Sequence, residues 1–228
     1  MRDARVSLGS MTSPEVAPIR PILLVPLGST EQHGPHLPLD TDTHIAIAVA
    51  ERTAAGGDDV LVAPAVAYGA SGEHAAFPGT LSIGTEALVV VLLELARSAD
   101  HFAHLVWVCG HGGNVDALGR ASEMLAAEGR RTTTFVCGVE GGDAHAGRTE
   151  TSMMMALAPG LVRLHLAEAG DTRPWADMKA EVLAGGIGAV SPSGVLGDPT
   201  GATAAEGERF LAEIVARLLG VVARCRDA

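Results

Sequence analysis

The stretch Val-Pro-Leu-Gly-Ser-Thr-Glu-Gln-His-Gly-Pro-His-Leu-Pro-Leu-Asp-Thr-Asp, residues 25–42, constrains this chain more than any other. Ile22 to Leu27 reads as an apolar strand. It runs into a loop punctuated by Gly28, Gly34, Pro35 and Pro38, residues that tie a backbone into fixed turns. The loop carries Glu31, His33, His36, Asp40 and Asp42. Carboxylates and imidazoles at this density, at the carboxyl end of a strand, are the raw material of a metal site. Glu31 and His33 point to the same side of an extended backbone. Asp42 can reach them only if the loop folds back. The same residues also admit a plainer reading. Asp40, Thr41 or Asp42 could cap a helix starting near Thr43, and His36 and His44 could be surface histidines. Two later polar clusters, also at strand ends, favour the site.

The rest of the chain alternates strands and helices. A helix is expected from about Thr43 to Ala55, stopped by Gly56 and Gly57. Val60 to Ala63 reads as a short buried strand, with Val66 to Tyr68 a further candidate. A glycine-rich loop, residues 69–79, holds Glu73 and His74. Thr80 to Ile83 could be a strand, and Glu86 to Ser98 is apolar enough for a buried helix. Leu105 to Cys109 is an unbroken apolar run and reads as a central strand ending in Gly-His-Gly-Gly-Asn, residues 110–114. An amphipathic helix follows, with Val115, Leu118, Ser122 and Leu125 on one face. Thr132 to Val136 is the next strand, Gly138 to Gly147 a loop, and Arg148 to Leu157 a helix. Gly170 to Gly201 shows little periodicity and reads as a long functional or interface loop. Thr203 and Glu206 spell a capping box opening the last helix. Strands alternating with helices predict an α/β fold, a mostly parallel sheet covered on both faces. Sites in such folds form beyond the carboxyl ends of the strands.

Composition narrows the function. A net charge of −11 argues against a nucleic-acid partner. The longest apolar run, Ala87 to Leu93, is too short to span a membrane. Cys109, Cys137 and Cys225 make neither a zinc ribbon nor a disulfide framework, which suits a reducing cytoplasm. Residues 1–18 lack the apolar core of a signal peptide and read as a flexible tail or oligomer arm, leaving residues 19–228 as one domain.

The second and third clusters are His111, set among glycines that leave room for a ligand, and the segment 142–152, which holds Asp143, His145 and Glu150. His111 lacks the spacing of a phosphate-binding loop. Asp143 or Thr149 could instead cap the following helix, with Glu150 a first-turn acid. Capping and ligation can coexist.

These motifs together with Gly-Glu-His-Ala-Ala-Phe-Pro-Gly-Thr, residues 72–80, resemble the creatininase family of metal-dependent amidohydrolases, in order from about Ile22 to Leu219. The resemblance implies a three-layer α/β/α sandwich and a homo-oligomer, a hexamer or octamer. Asp-Ala-His-Ala-Gly-Arg-Thr-Glu-Thr-Ser most resembles the mycofactocin branch, whose members release a modified C-terminal dipeptide from a ribosomally made precursor peptide. By resemblance, Glu31, His33, Asp42 and His111 are metal ligands, with Asp42 bridging two ions. Creatinine-cleaving members carry a Glu two residues after the His of the second motif, where this chain has Gly113. A second ion then needs Glu150 to turn inward. Those members also carry a Trp where this chain has Gly141, so the wall that clasps a small flat ring is missing.

The implied chemistry is hydrolysis of an amide by a metal-activated water. One or two Fe2+, Zn2+ or Mn2+ ions per subunit would serve, and mixed carboxylate and imidazole ligands accept all three. His145 would shuttle the proton to the departing nitrogen, and Glu73, His74 and Asn114 would line the substrate pocket or support the ligands. Cys109 reads as a buried strand residue. Other amides remain open, namely creatinine or a ring-opened formamide of flavin biosynthesis. So does a metal-stabilised scaffold without turnover, which Glu31→Ala would separate from an enzyme.

Overall fold

The computed structural model describes residues 6–57 and 59–226. The elements run α1 (Ser13–Val16), β1 (Ile22–Leu27), α2 (Thr41–Ala54), β2 (Val60–Val62), α3 (Gly84–Arg97), β3 (His104–Cys109), α4 (Val115–Ala127), β4 (Thr132–Val136), α5 (Arg148–Leu157), α6 (Trp175–Gly185) and α7 (Ala204–Arg226). The four strands form one parallel sheet in the order β2-β1-β3-β4.

Alternation along β1 builds the layers. Ile22 and Leu24 face a core shared with Ile45 and Val49 of α2, Met153 and Met154 of α5, and Leu211, Ile214 and Leu218 of α7. Leu23, Val25 and Leu27 face the opposite core, made by Leu88 and Leu92 of α3 and Leu118 and Leu125 of α4. The result is the expected α/β/α sandwich. Every residue of β3 is buried, and burying one Val or Leu contributes about 1.5–3 kcal/mol, so the apolar run that marked this strand also anchors it.

Pro26 lies inside β1, a central strand, where a missing N–H normally breaks the ladder. Here the even-numbered residues bond toward β2: Ile22 N donates to Asp59 O, Ala63 N to Leu24 O and Val66 N to Pro26 O. The absent donor therefore falls on that side, beyond the end of β2 at Val62. Helices α5 and α7 cross closely. A Cβ on Gly207 would lie 1.9 Å from the Ser152 carbonyl oxygen, so this helix crossing depends on glycine.

Several expectations differ from the structure. Thr80 to Ile83 is not a strand; it ties two loops together through Leu81 N to Thr30 O and Ile83 N to Gly69 O. Val66 makes one isolated bridge to Leu27 rather than opening a strand. The long segment 170–201 contains α6, whose buried residues are only Met178 and Val182, too few to set up a visible period. These two pack with Ile187, Leu196 and Phe77 into a small separate cluster. The capping box is rearranged. Thr203 Oγ1 accepts Glu206 N, but the Glu206 carboxylate binds Arg148 and Ser152 instead of Thr203. Residues 6–18 are no loose tail: Val6 is buried, its carbonyl accepts Val62 N, and Ser7 bridges Val62 in parallel. Residues 1–5 lie outside the described residues.

Candidate metal centre

Strand order 2-1-3-4 puts the sheet's switch point between β1 and β3, where ligand sites form in open parallel sheets. The loops after these two strands, and the loop leading from β4 into α5, converge there. Asp42 returns to Glu31 because α2 starts two residues earlier than expected, at Thr41, and its first turn is wedged against both strand ends. A Cβ on Gly110 would sit 2.4 Å from the Asp42 carbonyl oxygen. Thr43 Oγ1 bonds Ser29 O at 3.1 Å, and Ser29 Oγ donates to Asp42 Oδ2 at 2.6 Å. Asp40 does not cap α2 through its side chain.

Three groups of ligand atoms each fall within 4.8 Å: Glu31, Asp42 and His111; His33, Asp42 and Glu150; and Glu31, His33 and His145. His111 Nδ1 lies 3.1 Å from Glu31 Oε1 and 3.3 Å from Asp42 Oδ2. His33 Nε2 lies 3.1 Å from Asp42 Oδ1, and its Nδ1 bonds the Glu31 carbonyl at 3.1 Å. That second bond aims Nε2 at the centre, as outer hydrogen bonds do for ligating imidazoles. Glu150 turns inward through a tight turn at Ala146, whose φ is +52°. Ala146 N donates to Glu150 Oε2 at 2.6 Å. Asp143 caps α5, accepting Thr149 N at 3.0 Å and Arg148 N.

Burial opposes charge at every one of these groups, and the neighbours decide the outcome. For His33, burial works against protonation, but Asp42, Glu150 and Glu31 overcome it and push the imidazole up to about 10. His111 is likewise held well above its usual range by Glu31 and Asp42 despite burial. Glu31 and Asp42 are held below theirs, burial being outweighed by His111 and His33. Burial lifts Glu150 to about 7 against the pull of His33. His145 is driven well below its normal value by burial and by His33 and His74. Protons on His33 and His111 and a divalent cation are alternative ways of neutralising the same carboxylates.

One observation tests whether these residues suit a cation. Among the described residues, both buried oxygens of Glu31 lack a hydrogen-bond donor. His111, His74 and His145 approach Oε1 at 3.1, 3.2 and 3.9 Å, off the hydrogen-bonding direction. A buried carboxylate without donors is costly, and an oxygen- and nitrogen-lined centre of this kind fits a divalent ion.

The remaining sequence candidates divide. Glu73 reaches His111 Nε2 at 3.5 Å and keeps part of its side chain exposed, at 26%. His74 is buried at 3.2 Å from Glu31. Asn114 is withdrawn from the cleft: it is buried, with Nδ2 bonded to Gly28 O and Oδ1 accepting Ala70 N, both at 2.9 Å. It ties two loops together rather than lining a substrate pocket. Asp40 pairs with His44 on the surface at 3.4 Å. Gln32 and Ser29, which touch the centre, carried no distinguishing signal in the sequence. His145 stands closer to the centre than a remote proton carrier would, with its ring 4.4 Å from that of His33.

His36 is buried without joining the centre; its Nε2 bonds Thr151 Oγ1 at 2.8 Å, and its Nδ1 has no partner among the described residues. Burial, aided by His33, lowers it from 6.5 to about 4. A depressed folded-state value means that its contribution is complete above the unfolded value and lost as pH falls toward 4. Urea unfolding at pH 7 and pH 4 should therefore show a loss larger, by up to about 3 kcal/mol, than the loss in His36→Gln, the other buried imidazoles contributing equally to both proteins. Equal losses in both proteins would contradict this.

Comparison with known proteins supplies the family. The family described as Creatininase, creatinine amidohydrolase, matches residues 9–222. The mycofactocin precursor peptide peptidase of Mycolicibacterium smegmatis is 53% identical over 214 residues, covering 91% of this chain and 87% of its own length. Among solved structures, a manganese creatininase superposes with TM-score 0.81 at 26% identity, covering 96% of this chain and 98% of that one. A Zn–Zn type creatininase mutant gives 0.81 at 25% identity, covering 96% and 97%. With the sandwich and the convergent carboxylates and imidazoles already described, these matches establish that the chain belongs to the creatininase family.

Proposed function

We propose that this protein is a metal-dependent peptidase that releases a modified C-terminal dipeptide from the mycofactocin precursor peptide. The observation that carries the reading is that two ligand groups, Glu31–Asp42–His111 and His33–Asp42–Glu150, share Asp42. Similarity to the M. smegmatis peptidase over most of both chains supports the substrate class. The first group would hold one ion and the second another, drawn from Fe2+, Zn2+ or Mn2+. Such ions, when bound, supply Lewis-acid polarisation of an amide carbonyl and a water acidic enough to ionise near neutral pH.

The chain's own residues do the rest. His145, uncharged at neutral pH because burial and its imidazole neighbours disfavour its proton, accepts a proton at Nδ1 and passes it to the departing nitrogen. Glu150 would be a ligand at the second position; without an ion there, burial pushes it up to about 7, where it can exchange a proton. Glu73, half-buried at the edge of the centre, faces the incoming peptide. Gly141 is exposed and a Cβ there would meet nothing within 4 Å, so this position supplies no wall to clasp a small ring.

The decisive experiment incubates metal-loaded protein with the modified precursor peptide and reads the products by mass spectrometry. Dipeptide release that stops with chelator and returns with one of the three ions is expected. An intact peptide beside a hydrolysed formamide would overturn the substrate assignment. Homo-oligomeric assembly and a cytoplasmic location belong to the same proposal. Exposed Val90, Leu95, Leu164, Leu166 and Leu183 give the surface apolar area to bury. Among the described residues no helix is long and apolar enough to cross a membrane.

A further inference from the structure

Gln32 lies between two of the proposed ligands, is 5% exposed, and touches two imidazoles at once. Its backbone carbonyl lies 2.9 Å from His145 Nε2. Its side-chain Nε2 lies 2.9 Å from His74 Nδ1, 3.0 Å from Gly194 O and 3.1 Å from His145 Nε2. Its Oε1 accepts Gly34 N at 2.8 Å. Donor and acceptor capacity permits one consistent assignment. Oε1 must face the Gly34 N–H, so the amide NH2 faces Gly194 O and uses one hydrogen there. Its second hydrogen goes to the nearer imidazole nitrogen, His74 Nδ1. His145 Nε2 then carries its own hydrogen and donates it to the Gln32 carbonyl.

We infer that Gln32 is a positioning residue that sets the tautomers of both imidazoles. Its carbonyl holds His145 as the Nε2–H form, leaving the Nδ1 lone pair turned to the centre, 3.9 Å from Glu31. Its side-chain amide holds His74 with Nδ1 as acceptor, so the proton of His74 sits on Nε2, 3.2 Å from Glu31 Oε1 but off its hydrogen-bonding direction. One residue thus prepares an acceptor and a donor on the same side of the cleft. Its seat is built from a distant loop. Gly194 has φ +82°, and a Cβ there would fall 2.0 Å from Gln32 Oε1. The adjoining Leu196 pairs with His145, Leu196 N donating to His145 O at 2.8 Å. Loop 191–196 therefore clamps Gln32 and His145 together.

The inference rests on reading His145 as the proton carrier, and its test separates the two. Full-length, zinc-loaded protein labelled with 15N in histidine reports each ring's tautomer by long-range 1H–15N correlation. The wild type should show Nε2–H on both His145 and His74. Gln32→Met and Gln32→Glu remove the donor to His74, and His74 should move to the Nδ1–H form or to a mixture. In the same variants kcat for the peptide should fall about 10–100-fold, with KM changed by less than about threefold. Gly194→Ala, which displaces the amide without altering it, should reproduce the shift of His74. A wild-type His145 protonated at Nδ1, or a His74 tautomer indifferent to all three substitutions, overturns the inference. A wild type that shows both tautomers as stated but leaves the peptide intact counts against the proposed function instead, and leaves the role of Gln32 standing.

Discussion

Asp42→Asn should reduce peptide hydrolysis by about 10³-fold or more, equivalent to about 4 kcal/mol of transition-state stabilisation, and should empty the protein of tightly held ions. Asp42 is the one residue common to the two groups proposed to hold the ion pair. One oxygen faces His33 at 3.1 Å; the other faces His111 at 3.3 Å and accepts Ser29 Oγ at 2.6 Å. Asparagine keeps the shape and loses both the charge and one ligating oxygen. In the ion-free protein the neighbouring imidazoles, held protonated by that charge, would no longer be matched by it. Elemental analysis after gel filtration and the mass-spectrometric assay read the two effects separately. Full occupancy with undiminished turnover would be incompatible with a bridging carboxylate.

Gly113→Ala should also be damaging, through sterics. A Cβ at this position would stand 2.4 Å from His111 Nε2, 2.5 Å from Ala70 O and 2.5 Å from Glu73 Oε1. The two side chains could yield, but only by moving His111 off Glu31 and Asp42. The Ala70 carbonyl cannot easily yield, because Asn114 fastens that backbone through Ala70 N at 2.9 Å. Overpacking of this kind costs about 1–3 kcal/mol, and displacement of a ligating imidazole should lower hydrolysis at least about tenfold. Gly113→Glu, the residue that creatinine-cleaving relatives are expected to carry here, should be worse and should not confer creatinine hydrolysis. Glu73 already fills the space that such a side chain would need. A Gly113→Ala protein with wild-type melting temperature and activity would show that the loop is softer than this packing implies.

The long apolar elements were readable from sequence because their signal is local. β3 is apolar throughout, and α7 repeats Leu211, Ile214, Leu218 and Val222 at helical spacing. The polar clusters were readable for a different reason: parallel α/β topology sends every strand's carboxyl end to the same side, so residues after β1, β3 and β4 had to meet. What escaped was set by tertiary contact. Helix α6 leans on Phe77 and Leu196 rather than on a periodic face of its own. Asn114 looked like a cleft residue beside His111, yet its partners at Gly28 and Ala70 are far away in sequence. Gln32 gave no sign in a motif full of stronger ligands; its importance lies in Gly194, 162 positions on.

The docking of Val6 and Ser7 on Val62 bears on how this chain behaves in company. β2 has only three residues, and a bare parallel margin of that kind is a template on which another polypeptide can add a strand. The chain's own leading segment occupies that margin. At the opposite margin β4 is five residues long, and Arg217 reaches across to the Val136 carbonyl at 3.3 Å. With one flank sheathed and the other short and guarded by a cation, runaway cross-chain strand pairing is discouraged.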